Sequence, residues 1–446
     1  MEIIRKTESV CPTCIEKIKA DIVEDNGKTY MLKSCQEHGS FKVLLSNKPS
    51  YYKDLTGMYF NLNSDETKKL KRNYYNLYVT LRCNFDCTLC LTRANEGELK
   101  EPSLEKINNL MKTMKNTKIG LWGGEPTVRE DLPEIIKIIK KSGNMPALYT
   151  NGTRIANINY LKKLKDSGLE IVHLQFDGFS DHAYEIIRKQ KNLTKSKLKA
   201  LDNLNKLNMP VVLETTFVKG VNESEIVNVL NYAVKNNVIK AVLFRSYSPI
   251  GRKGFKKEDE ILGEELIEIL ENQTHGKISN DKILEFQKLL FVFYDLVSIK
   301  RCFYNQYLLI NRNSNGYDTI NEIVNLDGID TDSYYKSDKN IYSKVNFILR
   351  ALPKLVNPKT LKILTLSLSM YLSRKLSNRS FTSSTVPKGL LILGFGCICS
   401  ADNYDVHAAR NCIGGEITTE GRVISSLVES NLEREKDFRN GTGRFA

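Results

Sequence analysis

Cys83-Asn84-Phe85-Asp86-Cys87-Thr88-Leu89-Cys90 decides the reading of this chain. Three cysteines fall on one short segment, spaced C-x3-C-x2-C. An apolar run, Leu77-Tyr78-Val79-Thr80, precedes them and predicts a buried strand. The thiols therefore sit on a loop at a strand's C-terminal end. Their count is informative. Four adjacent thiolates saturate a zinc ion or an ordinary cubane, whereas three leave one iron of a [4Fe–4S] cluster open to a non-protein ligand. Structural cysteines are the bland alternative, but buried cysteines do not usually gather on one loop.

Downstream, strands and helices alternate. Predicted strands cover Leu77–Thr80, Lys118–Trp122, Ala147–Thr150, Ile171–Phe176, Val211–Phe217 and Ala241–Ser246. Predicted helices cover Leu104–Met114, Leu132–Lys141, Tyr160–Asp166, Lys195–Leu207 and Ser224–Lys235, with Gly143 closing the second as a C-cap. Such a series implies a parallel sheet with helices outside. Right-handed crossovers curl it, and six units predict an open, partial (β/α)6 TIM-like barrel of α/β class. The conspicuous motifs all lie at strand C-terminal ends, where active sites sit in this architecture.

The three-cysteine motif after a first strand resembles the signature of the radical SAM superfamily. The resemblance implies an open iron chelated by the amino and carboxylate groups of S-adenosylmethionine (SAM). One electron then cleaves the sulfonium and yields a 5′-deoxyadenosyl radical. Leu89 departs from the family's usual aromatic residue before the third cysteine, so aliphatic contact replaces some stacking near the adenine. Gly123-Gly124-Glu125 resembles the family's GGE motif, whose backbone carbonyls accept hydrogen bonds from the SAM ammonium. Asn151, Thr153, Gln175, Asp177, Thr215 and Thr216 are polar groups at successive strand ends that can hold ribose, sulfonium or substrate, or simply cap loops. Asp177 is the ribose candidate. By the same resemblance Arg188 pairs with the SAM carboxylate, a task suited to a guanidinium; beside Lys189 and Lys191 it also reads as solvated surface. His173, inside an apolar strand, reads as core.

Outside this barrel lie two further cysteine regions. Cys11-Pro12-Thr13-Cys14 is answered by Cys35-Gln36-Glu37-His38-Gly39 across a predicted strand at Lys28–Leu32. A Cys3His set suits a structural zinc, with mononuclear iron as the alternative. A small zinc-ribbon-like domain often needs such a staple. Residues Leu62 to Asn73 read as the linker into the barrel. After Gly254 the rhythm stops. Residues 256–340 read as helical and irregular, and 341–375 as two helices broken by Pro353 and Pro358. The second of these, Leu361–Leu368, is apolar and flanked by lysines. It reads as a packing helix, a wall for a greasy substrate, or a membrane-surface contact. Ser380–Ser384 reads as a loop and Gly389–Gly394 as a core strand. Cys397, Cys399 and Cys412, joined by Cys302, supply enough thiols for an auxiliary iron–sulfur cluster in a C-terminal α+β region. The expected division is residues 1–62, a metal-binding ribbon; 73–255, the radical SAM core; and 256–446, the auxiliary-cluster and substrate region.

The chain has 446 residues, ten of them cysteine, and a formal charge of +14 spread along its length. Such a field favours anionic partners, but no RNA-binding motif with interleaved aromatics is present, so nucleic acid is a minor option. Met1-Glu2-Ile3-Ile4-Arg5 begins no apolar signal segment. The expectation is a cytoplasmic protein whose cysteines ligate metals rather than form disulfides. No run approaches the roughly 20 apolar residues of a spanning helix.

The combined layout resembles the group of tetraether lipid synthases and methanogen pterin methylases. Related chains have another cysteine near Ser426-Leu427, and this one does not. The resemblance implies a radical SAM enzyme acting on an unactivated C–H bond, either coupling lipid chains or methylating a small molecule such as a pterin. It would take a small-molecule or lipid substrate and electrons from a ferredoxin or flavodoxin. The alternatives are a peptide-modifying maturase and a non-enzymatic zinc or iron–sulfur regulator that binds nucleic acid. A regulator has no need of an open iron beside a GGE loop.

Overall fold

The computed structural model describes residues 1–62, 74–97, 100–296, 302, 304–324, 326, 328–355, 386–396, 399–410, 412, 414–424 and 427–439. The N-terminal segment is an antiparallel four-stranded sheet in chain order: β1 (Glu2–Val10), β2 (Lys17–Asp25), β3 (Lys28–Cys35) and β4 (Gly39–Ser46). Asn26 and Gly27 both have positive φ, at 49° and 70°, as the tight turn between β2 and β3 requires. The two cysteine knuckles are the other two turns. Helix α1 (Pro49–Leu62) leads out of the sheet. The expected linker falls, beyond Leu62, outside the described residues.

The second sheet carries the remaining strands. Those expected in series are present as β5 (Tyr74–Thr80), β6 (Lys118–Gly123), β7 (Met145–Thr150), β8 (Ile171–Gln175), β9 (Val211–Phe217) and β10 (Ile239–Ser246). They lie side by side and parallel. Two more parallel strands come from beyond Gly254. β13 (Leu390–Gly396) pairs with β10, and β14 (Gly414–Ile417) pairs with β5. A hairpin, β11 (Asn305–Asn313) and β12 (Gly316–Thr319), extends the β13 edge antiparallel, and β15 (Val423–Ile424) extends the other. The sheet order runs from β12 to β15 without closing, which fits a partial TIM barrel.

The hairpin corrects the reading of residues 256–340 as helical and irregular. Its burial alternates along β11, with Gln306, Leu308 and Ile310 inside. The apolar run Tyr307–Ile310 is too short for periodicity to separate strand from helix. A helix at Asp181–Arg188, opened by Ser180 accepting the Ala183 N–H, was also not expected. The helix Ile341–Leu355 runs through Pro353, where a break was expected. The apolar stretch at 361–368 and the loop at 380–384 lie outside the described residues.

Alternation sorts the parallel strands into two faces. Leu77, Val79, Ile119, Leu121, Leu148, Val172 and Leu213 pack outward against the helices. The inner face begins with a separate apolar base of Ala147, Ile171, Val212 and Ala241. The next inner positions toward the strand ends are Tyr149, His173 and Glu214.

The N-terminal sheet docks on the C-terminal segment. Arg5 Nη2 reaches Asp405 Oδ2 at 2.6 Å. The buried Lys33 ammonium donates to Ala401 O at 2.7 Å, Asp402 O at 2.8 Å and Ser9 Oγ at 3.1 Å. Val10 and Ile15 share an apolar cluster with Cys399, Ala401, Tyr404 and Cys412.

Candidate active site and metal centres

The cysteine loop leaves β5 and is held from several sides. Asn95 accepts the Cys83 N–H at 2.8 Å and donates to Cys83 O and Phe85 O. Thr88 bonds backbone carbonyls of Ile186 and Ile187. Phe85 packs on Tyr184 and Leu193, with Cys83 and Cys87 against it. Arg252, just beyond β10, acts as a clamp. It donates to Cys87 O and Ala94 O, each at 2.8 Å, and pairs with Asp86 and Glu96, each at 2.6 Å. Its backbone bridges Cys90.

Cys83, Cys87 and Cys90 are half-buried and free. Amide N–H groups already point at two sulfurs, Phe85 N to Cys83 Sγ and Ala94 N to Cys90 Sγ, both at 3.4 Å. Such bonds stabilise thiolates and tune a cluster's potential. Burial pushes the Cys83 thiol up to about 12. It raises Cys87 too, while the Arg188 guanidinium opposes it. The three sulfurs are not all within 4.8 Å of one another, as the ligands of a single ion would be. The loop therefore fits a three-thiolate cluster.

Gly123 and Gly124 must be glycines. Gly123 has φ +134°, and a Cβ there would lie 1.9 Å from Thr80 O. A Cβ on Gly124 would lie 2.2 Å from Arg82 O. This close approach lets Gly124 N–H bond Thr80 O and Glu125 N–H bond Arg82 O, both at 2.9 Å. The turn and the cysteine loop are thus one unit. Glu125 is itself buried. Its carboxylate accepts from Thr127 Oγ1 at 2.6 Å and from Thr150 Oγ1 and Asn151 N at 2.7 Å. It ties the β6 turn to the end of β7.

Asp177 and Arg188 differ from expectation. The Asp177 carboxylate, expected to face a ribose, is fully buried. It accepts Arg188 Nε at 2.7 Å, Arg188 Nη2 at 3.1 Å, Thr216 N at 3.0 Å and Gln175 Nε2 at 2.5 Å. Arg188 is buried rather than solvated. Burial works against its charge, but Asp177 more than offsets that and holds its pKa above the ordinary value. Asp177 thereby fixes Arg188 beside Cys87. Asn151 donates to Asn84 on the cysteine loop at 2.8 Å, and Thr216 enters through its backbone N–H.

Sequence reading missed Arg252, Asn95 and Lys197. Lys197 is fully buried and donates to Asn151 O, Gln175 O and Gln175 Oε1 at 2.5–2.7 Å. Burial pushes its pKa down to about 7, with Asp177 opposing. Within a lysine-rich helix nothing distinguished it. Arg252 had one signal, its place after the last strand of the series.

In the N-terminal sheet, ligand atoms of Cys11, Cys14, Cys35 and His38 all lie within 4.8 Å of one another. Cys14 Sγ and Cys35 Sγ are 3.9 Å apart, and Cys35 Sγ is 3.5 Å from His38 Nδ1. A tetrahedral zinc with Zn–S bonds of about 2.3 Å implies an S–S edge of roughly 3.8 Å. The set fits one metal ion. Of the C-terminal thiols, Cys399 and Cys412 are buried in one apolar cluster. Cys302 is raised to about 12 by burial, with Cys412 adding to it. Cys302, Cys399 and Cys412 do not meet single-ion spacing. Cys397 lies outside the described residues.

Comparison with known proteins matches two stretches of the chain. Residues 77–233 match the Radical SAM superfamily model, and residues 3–47 match the HMPTM N-terminal zinc ribbon domain. The 7,8-dihydro-6-hydroxymethylpterin dimethyltransferase of Methanocaldococcus jannaschii is 36% identical over 62% of this chain and 60% of its own length. The GTP 3′,8-cyclase of Campylobacter curvus is 31% identical over 43% of this chain and 61% of its own length. The chain thus spans less than two thirds of these relatives. Among solved structures, Streptococcus suis SuiB bound to precursor peptide SuiA aligns with a TM-score of 0.40 and 15% identity, over 48% of this chain and 49% of that one. Residues 77–233, which carry the cysteine loop, the GGE turn and the strands through β9, are thus similar to radical SAM domains, and the sheet that precedes them is similar to a zinc ribbon.

Proposed function

We propose that this protein is a radical SAM enzyme that activates a C–H bond of a small planar molecule, with methylation of a pterin as the leading reaction. The observation that carries it is the unit formed by the three-thiol loop, the GGE turn and the Arg252 clamp at the open end of the parallel sheet. Cys83, Cys87 and Cys90 hold the [4Fe–4S] cluster. When bound, the cluster and SAM supply one-electron cleavage of the sulfonium and abstraction of a hydrogen atom. The protein's own part is to seat and orient. Gly123, Gly124 and Asn151 line the SAM side; Glu125 braces that turn; Asp177 and the Thr216 backbone hold Arg188 against Cys87, within reach of an anionic group. The names of the two relatives point to a pterin and to GTP, whose rings share a 2-aminopyrimidin-4-one.

The ribbon, residues 1–62, holds zinc or iron at Cys11, Cys14, Cys35 and His38. Residues 73–255 are the catalytic core. Residues 256–446 bear the substrate side and an auxiliary iron–sulfur cluster at Cys302, Cys397, Cys399 and Cys412, supported by the shared apolar setting of Cys399 and Cys412. A cytoplasmic ferredoxin or flavodoxin serves as reductant. The test is anaerobic reconstitution, reduction and assay of 5′-deoxyadenosine from SAM. Replacing Cys83, Cys87 and Cys90 with Ala abolishes it; undiminished formation refutes the assignment.

One observation favours a second substrate class. On the helix Ile341–Leu355, the side chains of Ile341, Tyr342, Leu349 and Leu352 are 50–79% exposed along one stripe. A greasy substrate or membrane surface suits such a face. No described helix is long and apolar enough to cross a membrane. Co-flotation with lipid vesicles, lost on changing Leu349 and Leu352 to Ser, distinguishes this reading.

A further inference from the structure

Beneath the strand ends, the inner face of the sheet holds side chains that the cysteine loop and the GGE turn do not use. Above the apolar base stand Tyr149, His173 and Glu214, flanked by Trp122 and Arg245. Trp122 meets Tyr149 edge to face at 5.0 Å, and Tyr149 stacks on His173 at 4.2 Å. A Cβ on Gly120 would come within 2.7 Å of the Tyr149 ring, so the glycine leaves the space the ring fills.

A buried chain of hydrogen bonds sets the orientation of Glu214. Lys118 Nζ lies 3.4 Å from His173 Nε2, and His173 Nδ1 lies 2.8 Å from Glu214 Oε1. Burial, aided by Lys118, pushes His173 down to about 4, so its ring is neutral. The consistent tautomer accepts a hydrogen bond from Lys118 at Nε2 and donates Nδ1–H to Glu214. The second Glu214 oxygen accepts no hydrogen bond from the described residues. The Glu214 side chain is 24% exposed where that of His173 is 4%. Arg245 stands one pleat further along the neighbouring strand, since Glu214 pairs with Leu243 and Thr216 with Arg245. Its guanidinium donates to Asn305 Oδ1.

This lining discriminates between ligand classes. Lys118 and Arg245 repel a metal cation. An alkyl chain would desolvate the open oxygen of Glu214 and the Arg245 guanidinium without giving either a new partner, which is costly. An adenine edge would set a ring-nitrogen acceptor against the carboxylate. A ring with adjacent N–H donors and a neighbouring carbonyl satisfies both charges, and its faces match the aromatic flank.

We propose that Glu214, oriented by His173, is the specificity-determining group of a binding site for a 2-aminopyrimidin-4-one ring, with Trp122 and Tyr149 along the ring and Arg245 at its carbonyl. The proposal rests on the reading of the chain as a radical SAM enzyme for such a substrate, and it names the residue that reads the ring.

The experiment titrates the anaerobic holoenzyme with two matched pairs: 6-hydroxymethylpterin against its 2-oxo analogue 6-hydroxymethyllumazine, and guanosine against xanthosine. Fluorescence and equilibrium dialysis report binding. The amino member of at least one pair is expected to bind about tenfold or more tightly, because the analogue keeps the ring N–H but sets a carbonyl oxygen against the carboxylate where the amino donor stood. In Glu214→Gln that preference falls below about threefold. Cluster absorbance and melting temperature report the variant's fold, and the wild-type comparison needs no variant. Equal affinities within both pairs, or a preference that survives in Glu214→Gln, overturn the proposal. Wild-type 5′-deoxyadenosine formation tests the underlying reading separately. If it forms and neither pair is discriminated, the ring-reading proposal falls alone. If it does not form, the enzyme reading falls, and the titration still decides the role of Glu214.

Discussion

Asp177→Asn tests whether the buried pair beneath the cysteine loop is a positioning device. The side chains of Asp177 and Arg188 are 0% and 9% exposed. Asp177 Oδ1 takes Thr216 N–H and Arg188 Nη2, and Oδ2 takes Arg188 Nε and Gln175 Nε2. Asparagine preserves shape but turns one oxygen into a donor. Whichever way the amide faces, two of these contacts become donor against donor, and the guanidinium stays buried without a counter-charge. Charge-assisted bonds are worth roughly 1.5–3 kcal/mol each, and breaking one side of a buried pair costs about 3–5 kcal/mol. The expected loss is therefore about 3–5 kcal/mol, read from urea denaturation of the anaerobic protein. The double variant Asp177→Asn/Arg188→Met removes the orphaned charge and is expected to recover about half of it. A single-variant loss below about 1 kcal/mol, or a double variant as unstable as the sum of both changes, refutes the reasoning.

Three further outcomes are expected. Cys35→Ser lowers metal content by the one ion of the ribbon, because a tetrahedral structural site does not hold with a missing ligand; unchanged metal by mass spectrometry contradicts it. His173 has a folded pKa of about 4 against 6.5 unfolded. The unfolded chain thus binds a proton between those values that the native state does not. His173 contributes stability that is full above pH 6.5 and falls by about 3 kcal/mol as pH drops to 4. His173→Asn should flatten that limb of the pH–stability curve, and a parallel curve counts against it. Finally, the variant lacking Cys83, Cys87 and Cys90, reconstituted anaerobically, retains about four irons beyond the ribbon metal if the C-terminal thiols hold a cubane. Iron falling to the ribbon ion alone removes the auxiliary cluster.

The parallel series was legible because each strand is an apolar run ended by glycine or a polar cap, a local signal. The ribbon ligands were legible because knuckle spacing is local too. What escaped was long-range. Nothing near Leu390 or Gly414 says that one strand will flank β10 and the other β5, since parallel pairing is set by the whole sheet. Asp177 looked like a ligand group because its partner, Arg188, lies on a helix whose short pattern was not recognised. Glu214 and His173 read as strand interior. Only the cross-strand arrangement shows that one is half open and the other holds it.

The docking of the ribbon has a consequence for how the chain comes to fold during synthesis. Arg5 meets Asp405 across 400 positions of sequence. Closing a loop of that length costs on the order of 5 kcal/mol before any contact repays it. The ribbon, a local four-stranded sheet with its own metal, can form as soon as it emerges from the ribosome. Its docking partner and the strand that covers β5 are made last. Until β14 arrives, β5 presents an open backbone edge, the kind of surface that recruits other chains. A protein cut short before residue 414 would then hold the ribbon and nine paired strands with β5 uncovered, and would be a seed for aggregation rather than a slightly weakened fold.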